Sequence, residues 1–269
     1  MVILFEQDIR QENRQSSKGN QLKWYNGGKW YKADYTGYEG LAEYVVSHLL
    51  GLSTLSTEEF LMYDTVRIKY NETIYQGCQS NNFLPPNWQM ITLERLFWQH
   101  FGESLYQSVF RIHDIENREL FLVEQVEKIT GLQEFGRYIS ILLTIDAFFF
   151  NEDRHTHNIA VLMDEFGKYH YCPFFDHGAS LLADTTMDYP MDIPLDRLYE
   201  KPKAKTFCRD FDEQLDIAEK LFGQHLKFRF TNADVEKILK NEQEYSPDIK
   251  ERVRELLRLK RRKYQYLFG

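Results

Sequence analysis

The chain is poor in cysteine, with three in 269 residues: Cys78, Cys172 and Cys208, widely separated and without a Cys-x-x-Cys pair. An odd and scattered set excludes a disulfide scaffold and a thiolate zinc cage, and it fits a reducing compartment. The three thiols read as small buried side chains rather than nucleophiles. Positive charge is also short. Lys and Arg number 33 against 41 Asp and Glu, a formal charge of −8, so a basic field for gripping phosphate backbones is missing and no direct nucleic-acid binding is expected. Long apolar runs are absent as well. In MVILFEQDIR the apolar stretch stops at Phe5 and acidic residues follow, unlike a signal peptide. Ile139 to Phe150 is broken by Ser140, Thr144 and Asp146 and falls short of the roughly 20 residues that a span requires. No membrane span and a cytoplasmic location are expected, with export as an effector the second reading. The sequence holds no internal repeat and no low-complexity tract.

Aromatic residues, in contrast, are plentiful: 20 Phe, 17 Tyr and 4 Trp, enough apolar surface to offset chain entropy and exclude intrinsic disorder. The first eighty residues read as strand-rich with one helix. In LKWYNGGKWYKAD, aromatics flank Asn26-Gly27-Gly28, residues that tolerate the positive φ of a tight hairpin. Gly37 to Leu50 has helical spacing, and FLMYDTVRIKY and TIYQGC read as strands around an Asn71-Glu72 turn. LPPNW at 84–88 stops either element, because proline removes a donor and restricts its neighbour. Helical periodicity follows over 91–101, 119–129 and 132–150. A polar knot, NEDRHTHN at 151–158, precedes a short hairpin made of AVLMD and KYHYCPFFD. Helices return from about Phe211, the last one starting at Ser246-Pro247-Asp248. Residues 250–263 carry eight Lys/Arg against two Glu and read as a terminal helix packed on the core rather than a basic binding patch. The expected architecture is α+β and bilobal, with a strand-rich N-terminal lobe over 1–83 and a helical C-terminal lobe over 84–269.

Chemistry concentrates after the apolar helix. Five charged or amide residues directly behind Phe148-Phe149-Phe150 are costly to bury without partners or a task. The hairpin returns Asp176 towards the knot, 23 residues beyond Asp153. A carboxylate and an amide oxygen suit Mg²⁺, which takes a few hard ligands and substrate phosphates, and a second carboxylate beside them can orient a hydroxyl nucleophile. That is a parts list for phosphoryl transfer. Asp153 and Asn158 keep the five-residue spacing of the protein-kinase catalytic loop, and Asp176-His177-Gly178 stands where Asp-Phe-Gly does. A rival reading groups His155, His157, His170 and His177 with the two aspartates as a metal-dependent hydrolase site.

The order Asp-Arg-His-x-x-N, then Asp-His-Gly, resembles the phosphatidylinositol kinases and, more fully, the short HipA-like kinases. NEDRHTHNIAVL is similar to their catalytic loop, and KGNQLKWYNGGKWYKADYTGYEGLAEYVVSHLLG to their N-terminal lobe. GCQSNNFL with ITLERL resembles the lobe connection, and FCRDFDEQL a recurring stretch further on. The resemblance runs from about residue 17 to about residue 220. It implies a protein-kinase-like fold and transfer of the γ-phosphoryl of ATP to a Ser or Thr hydroxyl, with Mg²⁺. By position, Lys32 would meet nucleotide phosphates and Glu43 would hold it, with Glu39 the competing partner on the same helix face. Asp153 would be the base, Asn158 and Asp176 the Mg²⁺ ligands, and Ser16, Ser17, Lys18 and Gly19 the phosphate loop. Adenine contacts would fall near Gln76 to Ser80. The partners implied are a protein substrate and an antitoxin or other regulatory protein, with Ser16 and Ser17 the candidates for autophosphorylation. The Gly-rich loop and the Ala-Pro-Glu motif of protein kinases are absent, and His177 stands in place of phenylalanine. A nucleotide-binding pseudokinase or interaction module is the third reading.

Overall fold

The computed structural model describes residues 1–10 and 21–268, so Ser16, Ser17, Lys18 and Gly19 lie outside the described residues. The fold is bilobal and kinase-like, strand-rich in its N-terminal part and helical in its C-terminal part. It divides into two compact units. The first comprises Met1–Phe83, Phe175–Pro202 and Lys227–Gly269, and the second Leu84–Phe174 and Lys203–Leu226.

The first unit is built on five strands: β1 (Val2–Leu4), β2 (Lys23–Asn26), β3 (Lys29–Ala33), β4 (Asp64–Tyr70) and β5 (Thr73–Asn81). Their order in the sheet is β1-β4-β5-β3-β2, antiparallel except where β1 runs parallel to β4. The predicted hairpin is present: Asn26 pairs with Lys29, and Gly27 and Gly28 adopt φ of 57° and 79°, which glycine alone adopts without strain. Side-chain alternation places Trp24, Tyr31, Ala33, Leu4 and Ile68 in one apolar cluster. The same alternation turns Lys32 to the opposite face, level with Cys78 of β5.

Helix α1 (Glu39–Leu50) packs on β5 and β4. The sequence predicts an amphipathic helix here, yet every residue from Gly40 to Leu50 except His48 is buried, Glu43 included. Its close approach depends on glycine. A Cβ on Gly40 would sit 2.5 Å from the backbone carbon of Gly77. Two further helices of this unit are α8 (Asn232–Asn241) and α9 (Pro247–Lys263), and α9 contains the whole basic stretch. Ser246 caps α9 through the Ile249 amide, with Pro247 in the first turn. Arg252 is buried and donates to the carbonyls of Tyr189 and Pro190 at 2.6 and 2.7 Å. Lys250 pairs with Glu242 at 2.9 Å and Arg254 with Glu236 at 2.6 Å.

The second unit holds a three-stranded sheet, β6 (Gln89–Thr92), β7 (Ala160–Met163) and β8 (Tyr169–Tyr171), in that order. It also holds helices α2 (Leu93–Phe101), α3 (Leu105–Arg111), α4 (Ile115–Thr130), α5 (Phe135–Phe149) and α7 (Phe211–Phe222), whereas the single turn α6 (Leu195–Leu198) belongs to the first unit. One boundary differs from the sequence reading. Ile91 and Thr92 pair with β7 as strand, and Thr92 then caps α2 by accepting from the Arg95 amide. An apolar strand running straight into an amphipathic helix mimics a single helical period. Helix α5 is buried along its length apart from Arg137 and packs on α7, where Gly136 lies against the Phe222 ring and Ser140 donates to the Gly223 carbonyl at 2.6 Å.

Glu119 of α4 is fully buried, and among the described residues neither of its carboxylate oxygens meets a hydrogen-bond donor. Burial, reinforced by Glu116, pushes its carboxyl up to about 9. Between its ordinary value of 4.5 and about 9, the folded chain keeps a proton that the unfolded chain releases. The stability present below the ordinary value is therefore lost as pH rises towards about 9. Glu119→Gln is expected to flatten the fall of Tm between about pH 5.5 and 8.5. Parallel Tm profiles for variant and wild type would show that Glu119 ionises freely in the fold.

Candidate functional site

In the first unit, three elements bring charge together. Lys32 of β3 donates to Glu43 Oε1 of α1 at 2.7 Å and to Asp176 Oδ1 at 2.7 Å. The second oxygen of Glu43 accepts from the backbone N–H of His177 at 2.8 Å, so one carboxylate holds both the lysine and the Asp-His-Gly backbone. Glu43 is 1% exposed and Lys32 13%, which takes this pair out of the weak class of surface ion pairs. Burial acts to lower the Lys32 pKa, but Asp176 and Glu43 outweigh it and hold the ammonium well above the ordinary lysine value. Burial pushes Glu43 up, and Lys32 opposes that shift. The Tyr63 ring lies beneath the ammonium, 5.3 Å from its centroid. Asp176 adopts φ of 63°, an uncommon conformation for a non-glycine residue and one that clusters at functional sites.

The choice between Glu39 and Glu43 is resolved by what Glu39 does instead. At the start of α1 it accepts from the amides of Thr36, Gly37 and Tyr35 at 2.7, 3.1 and 3.2 Å and from the Thr36 hydroxyl at 2.7 Å. These donors belong to the turn that leads into α1, so Glu39 ties that turn to the helix start. The segment after Asp-His-Gly is tied to the same turn. Tyr38 donates through its N–H to Ala183 and through its hydroxyl to Leu181, and the N–H and hydroxyl of Thr186 both reach the Thr36 carbonyl. Of the segment expected near adenine, Gln76 to Ser80 form part of β5. Cys78 and Ser80 are buried, and the Gln76 amide donates to the Glu244 carbonyl.

In the second unit, the polar knot is a fixed loop. Phe150 closes α5 with φ of 56° and turns the chain sharply. Asp146, inside α5, accepts from Arg154 Nε at 3.0 Å and from Asn151 Nδ2 at 2.9 Å. Arg154 is 2% exposed, and its Nη1 also donates to the Asn158 carbonyl at 3.0 Å. Burial raises the Asp146 pKa and Arg154 opposes the shift. Removing either partner would strand a buried charge. Asn158 donates through Nδ2 to the Asp153 carbonyl at 2.7 Å and to Asp153 Oδ2 at 3.4 Å. Its amide nitrogen is thereby committed to Asp153, and its oxygen is the atom left to offer a cation. Thr156 donates to Glu94 at 2.8 Å, pinning the far end of the loop to the start of α2.

A second segment lies along this loop. The Lys203 N–H donates to Glu152 Oε1 at 2.9 Å, Lys205 Nζ stands 3.4 Å from Asp153 Oδ1, and the Thr206 hydroxyl donates to the Arg154 carbonyl at 3.0 Å. Sequence reasoning missed Asp146, Arg154 and Lys205. Asp146 had a signal, a lone carboxylate inside an otherwise apolar helix eight residues before an arginine; Lys205 had none.

The histidines have separate surroundings. His170 bonds Asp164 at 2.9 Å and stacks on Trp88 with ring centroids 4.4 Å apart. His155 and His157 meet edge to face at 5.4 Å, and His177 is buried. Among the described residues, no group of three or more His, Cys, Asp or Glu is arranged to hold a metal. No helix among them is long and apolar enough to cross a membrane.

No protein-family model matches the chain, and no curated protein matches it by sequence. Its fold is similar to that of solved structures. The Helicobacter pylori proinflammatory kinase CtkA superimposes with a TM-score of 0.62 at 15% identity, over 95% of this chain and 92% of that one. HipA, in a Shewanella oneidensis toxin–antitoxin complex with HipB and operator DNA, gives a TM-score of 0.51 at 13% identity, over 96% of this chain and 67% of that one. The similarity is to the HipA-like kinase fold, at low sequence identity.

Proposed function

We propose that this protein is an ATP-dependent protein kinase that transfers the γ-phosphoryl group to a Ser or Thr hydroxyl. The observation that carries the reading is the buried Lys32–Glu43 pair, with Asp176 on the same ammonium and Glu43 also holding the His177 amide. A lysine kept charged by two carboxylates, on a fold shared with kinases, is suited to meeting phosphates. In this reading Lys32 takes nucleotide phosphates and Glu43 fixes its direction. Asp153 accepts a hydrogen bond from the acceptor hydroxyl and aligns its oxygen for attack. Ser16, Ser17, Lys18 and Gly19 are proposed as the phosphate loop.

The donor atoms fit Mg²⁺. Asp176 and Asn158 are proposed as its ligands: the Asp176 carboxylate already attracts a cation, Lys32, and the Asn158 amide nitrogen is bonded to Asp153, which leaves its oxygen to offer. Such an ion, when bound, neutralises charge on the phosphates. The acceptor is proposed to be a protein, and an antitoxin-like regulatory partner is proposed by analogy with the HipA–HipB complex.

The test is calorimetric titration of ATP, with and without Mg²⁺, into wild type and Lys32→Met. Methionine keeps the length of the stem while removing the charge. Saturable, Mg²⁺-dependent binding that Lys32→Met weakens is the expected result. The complementary variant Lys32→Arg guards against a folding defect, since it retains a cation for Glu43. ATP binding that is absent in wild type, or indifferent to the charge at position 32, would overturn the reading.

A further inference from the structure

We propose that Lys205 is a second phosphoryl-contacting cation, placed on the acceptor side of the transfer; this rests on the kinase reading above. Its ammonium lies 3.4 Å from Asp153 Oδ1, the carboxylate assigned to the acceptor hydroxyl. The two oxygens of Asp153 face different neighbours. Oδ2 faces the Asn158 amide at 3.4 Å, whereas Oδ1 faces Lys205 and, at 3.8 Å, His155 Nε2. A hydroxyl bonded to this carboxylate sits about 2.7 Å from it. The phosphorus it attacks is then one further bond away, within the sweep of a lysine stem rooted at position 205.

The backbone beneath Lys205 is held from both sides. Lys203 N–H is bound to Glu152 and the Thr206 hydroxyl to the Arg154 carbonyl, so the segment runs in step with the loop residues 152, 153 and 154. Lys205 is 41% exposed while Asp153 is 15% exposed, so the ammonium stands where a group arriving from solvent meets it next to the carboxylate. A lysine serving only to stabilise the fold has little to gain there, because half-exposed pairs contribute little. An exposed point charge beside the attacking oxygen has a clear use, since Lys binds phosphate as a compact cation.

In the step itself the acceptor oxygen forms a bond to the γ-phosphorus as the bond from that phosphorus to the bridging oxygen breaks. ADP leaves with the electron pair, and the hydroxyl proton passes to Asp153. Charge on the three equatorial oxygens moves towards the acceptor during this transfer. Lys205 meets those oxygens there and holds Asp153 in line.

The experiment compares wild type, Lys205→Ala and Lys205→Arg in steady-state phosphorylation of a protein acceptor, together with binding of ADP and of ADP–aluminium fluoride, a mimic of the transferring phosphoryl. Lys205→Ala is expected to lower kcat by about 100-fold, the scale for losing one preorganised charge contact. ADP affinity and Tm are expected to stay at wild-type values while the tighter binding of ADP–aluminium fluoride is lost, and Lys205→Arg restores most of both. Wild-type kcat and wild-type ADP–aluminium fluoride affinity in Lys205→Ala would overturn this role alone. A wild-type chain that transfers nothing would overturn the kinase reading and this role with it.

Discussion

Asp153→Asn is expected to lower kcat by about 10²–10⁴-fold, the range for removing a positioned acid–base group, while leaving nucleotide affinity near wild type. Asparagine keeps the shape of the side chain and loses the charge and the proton-accepting oxygen. The loop around it is held by contacts of other residues. Its position is set by Asp146, Asn151 and Arg154 beneath, by the Thr156–Glu94 bond, and by the Thr206 hydroxyl on the Arg154 carbonyl. The Asn158 amide bonds the Asp153 backbone carbonyl more closely than the carboxylate, at 2.7 against 3.4 Å, so the substitution leaves the stronger contact in place. A contact realised mainly in the transition state affects kcat rather than binding. Stopped-acid assays across substrate concentration, with calorimetric ATP titration in parallel, separate the two quantities. Near-normal turnover would remove Asp153 from the chemistry.

The second large effect is a change of sign at Asp176. In the present arrangement its carboxylate faces the Lys32 ammonium at 2.7 Å, so a phosphate arriving without a metal must compete with it for the lysine. Asp176→Asn removes both the competition and the repulsion between carboxylate and triphosphate. Metal-free ATP should therefore bind the variant more tightly than wild type. With Mg²⁺ present the order should reverse, because the variant has lost a charged oxygen ligand. A charged contact is worth about 1.5–3 kcal/mol, or roughly 10- to 150-fold in Kd. Glu43 still neutralises Lys32 in the variant, so the fold keeps its buried pair. Titrations of ATP in chelator and in Mg²⁺ make the comparison. Equal affinities of variant and wild type under both conditions would exclude Asp176 from holding either the metal or the lysine.

Much of the local geometry around the candidate residues is legible in the sequence because its spacing is local. Asp153 and Asn158 are five residues apart in one loop, and Asn26-Gly27-Gly28 announces the hairpin that carries Lys32. The partner of Lys32 was legible only to within one helical turn. Glu39 and Glu43 share a face of α1, and what separates them is that Glu39 stands at the helix start, where the amides of the preceding turn claim it. Burial of α1 on nearly all sides was not legible, since its close approach depends on Gly40 meeting Gly77 of a strand far along the chain. The strand character of Ile91 and Thr92 was hidden for a related reason. Their pairing partners, Val161 and Ala160, come some seventy residues later. Lys205 was invisible because nothing in Lys-Ala-Lys-Thr distinguishes one solvated lysine from another until tertiary contacts lay that segment along residues 152–154.

The most direct measurement is of phosphoryl transfer by wild type and Asp153→Asn. Purified wild type and Asp153→Asn are incubated with γ-labelled ATP and Mg²⁺, alone and with a generic protein acceptor, and the products are mapped by phosphosite mass spectrometry. Label on serine or threonine with wild type, and its loss with Asp153→Asn, is the predicted result; modification of Ser16 or Ser17 in the incubation without acceptor would mark self-phosphorylation. Label transferred equally by both proteins, or by neither while ATP is bound, would contradict the assignment of this chain as a kinase acting through Asp153.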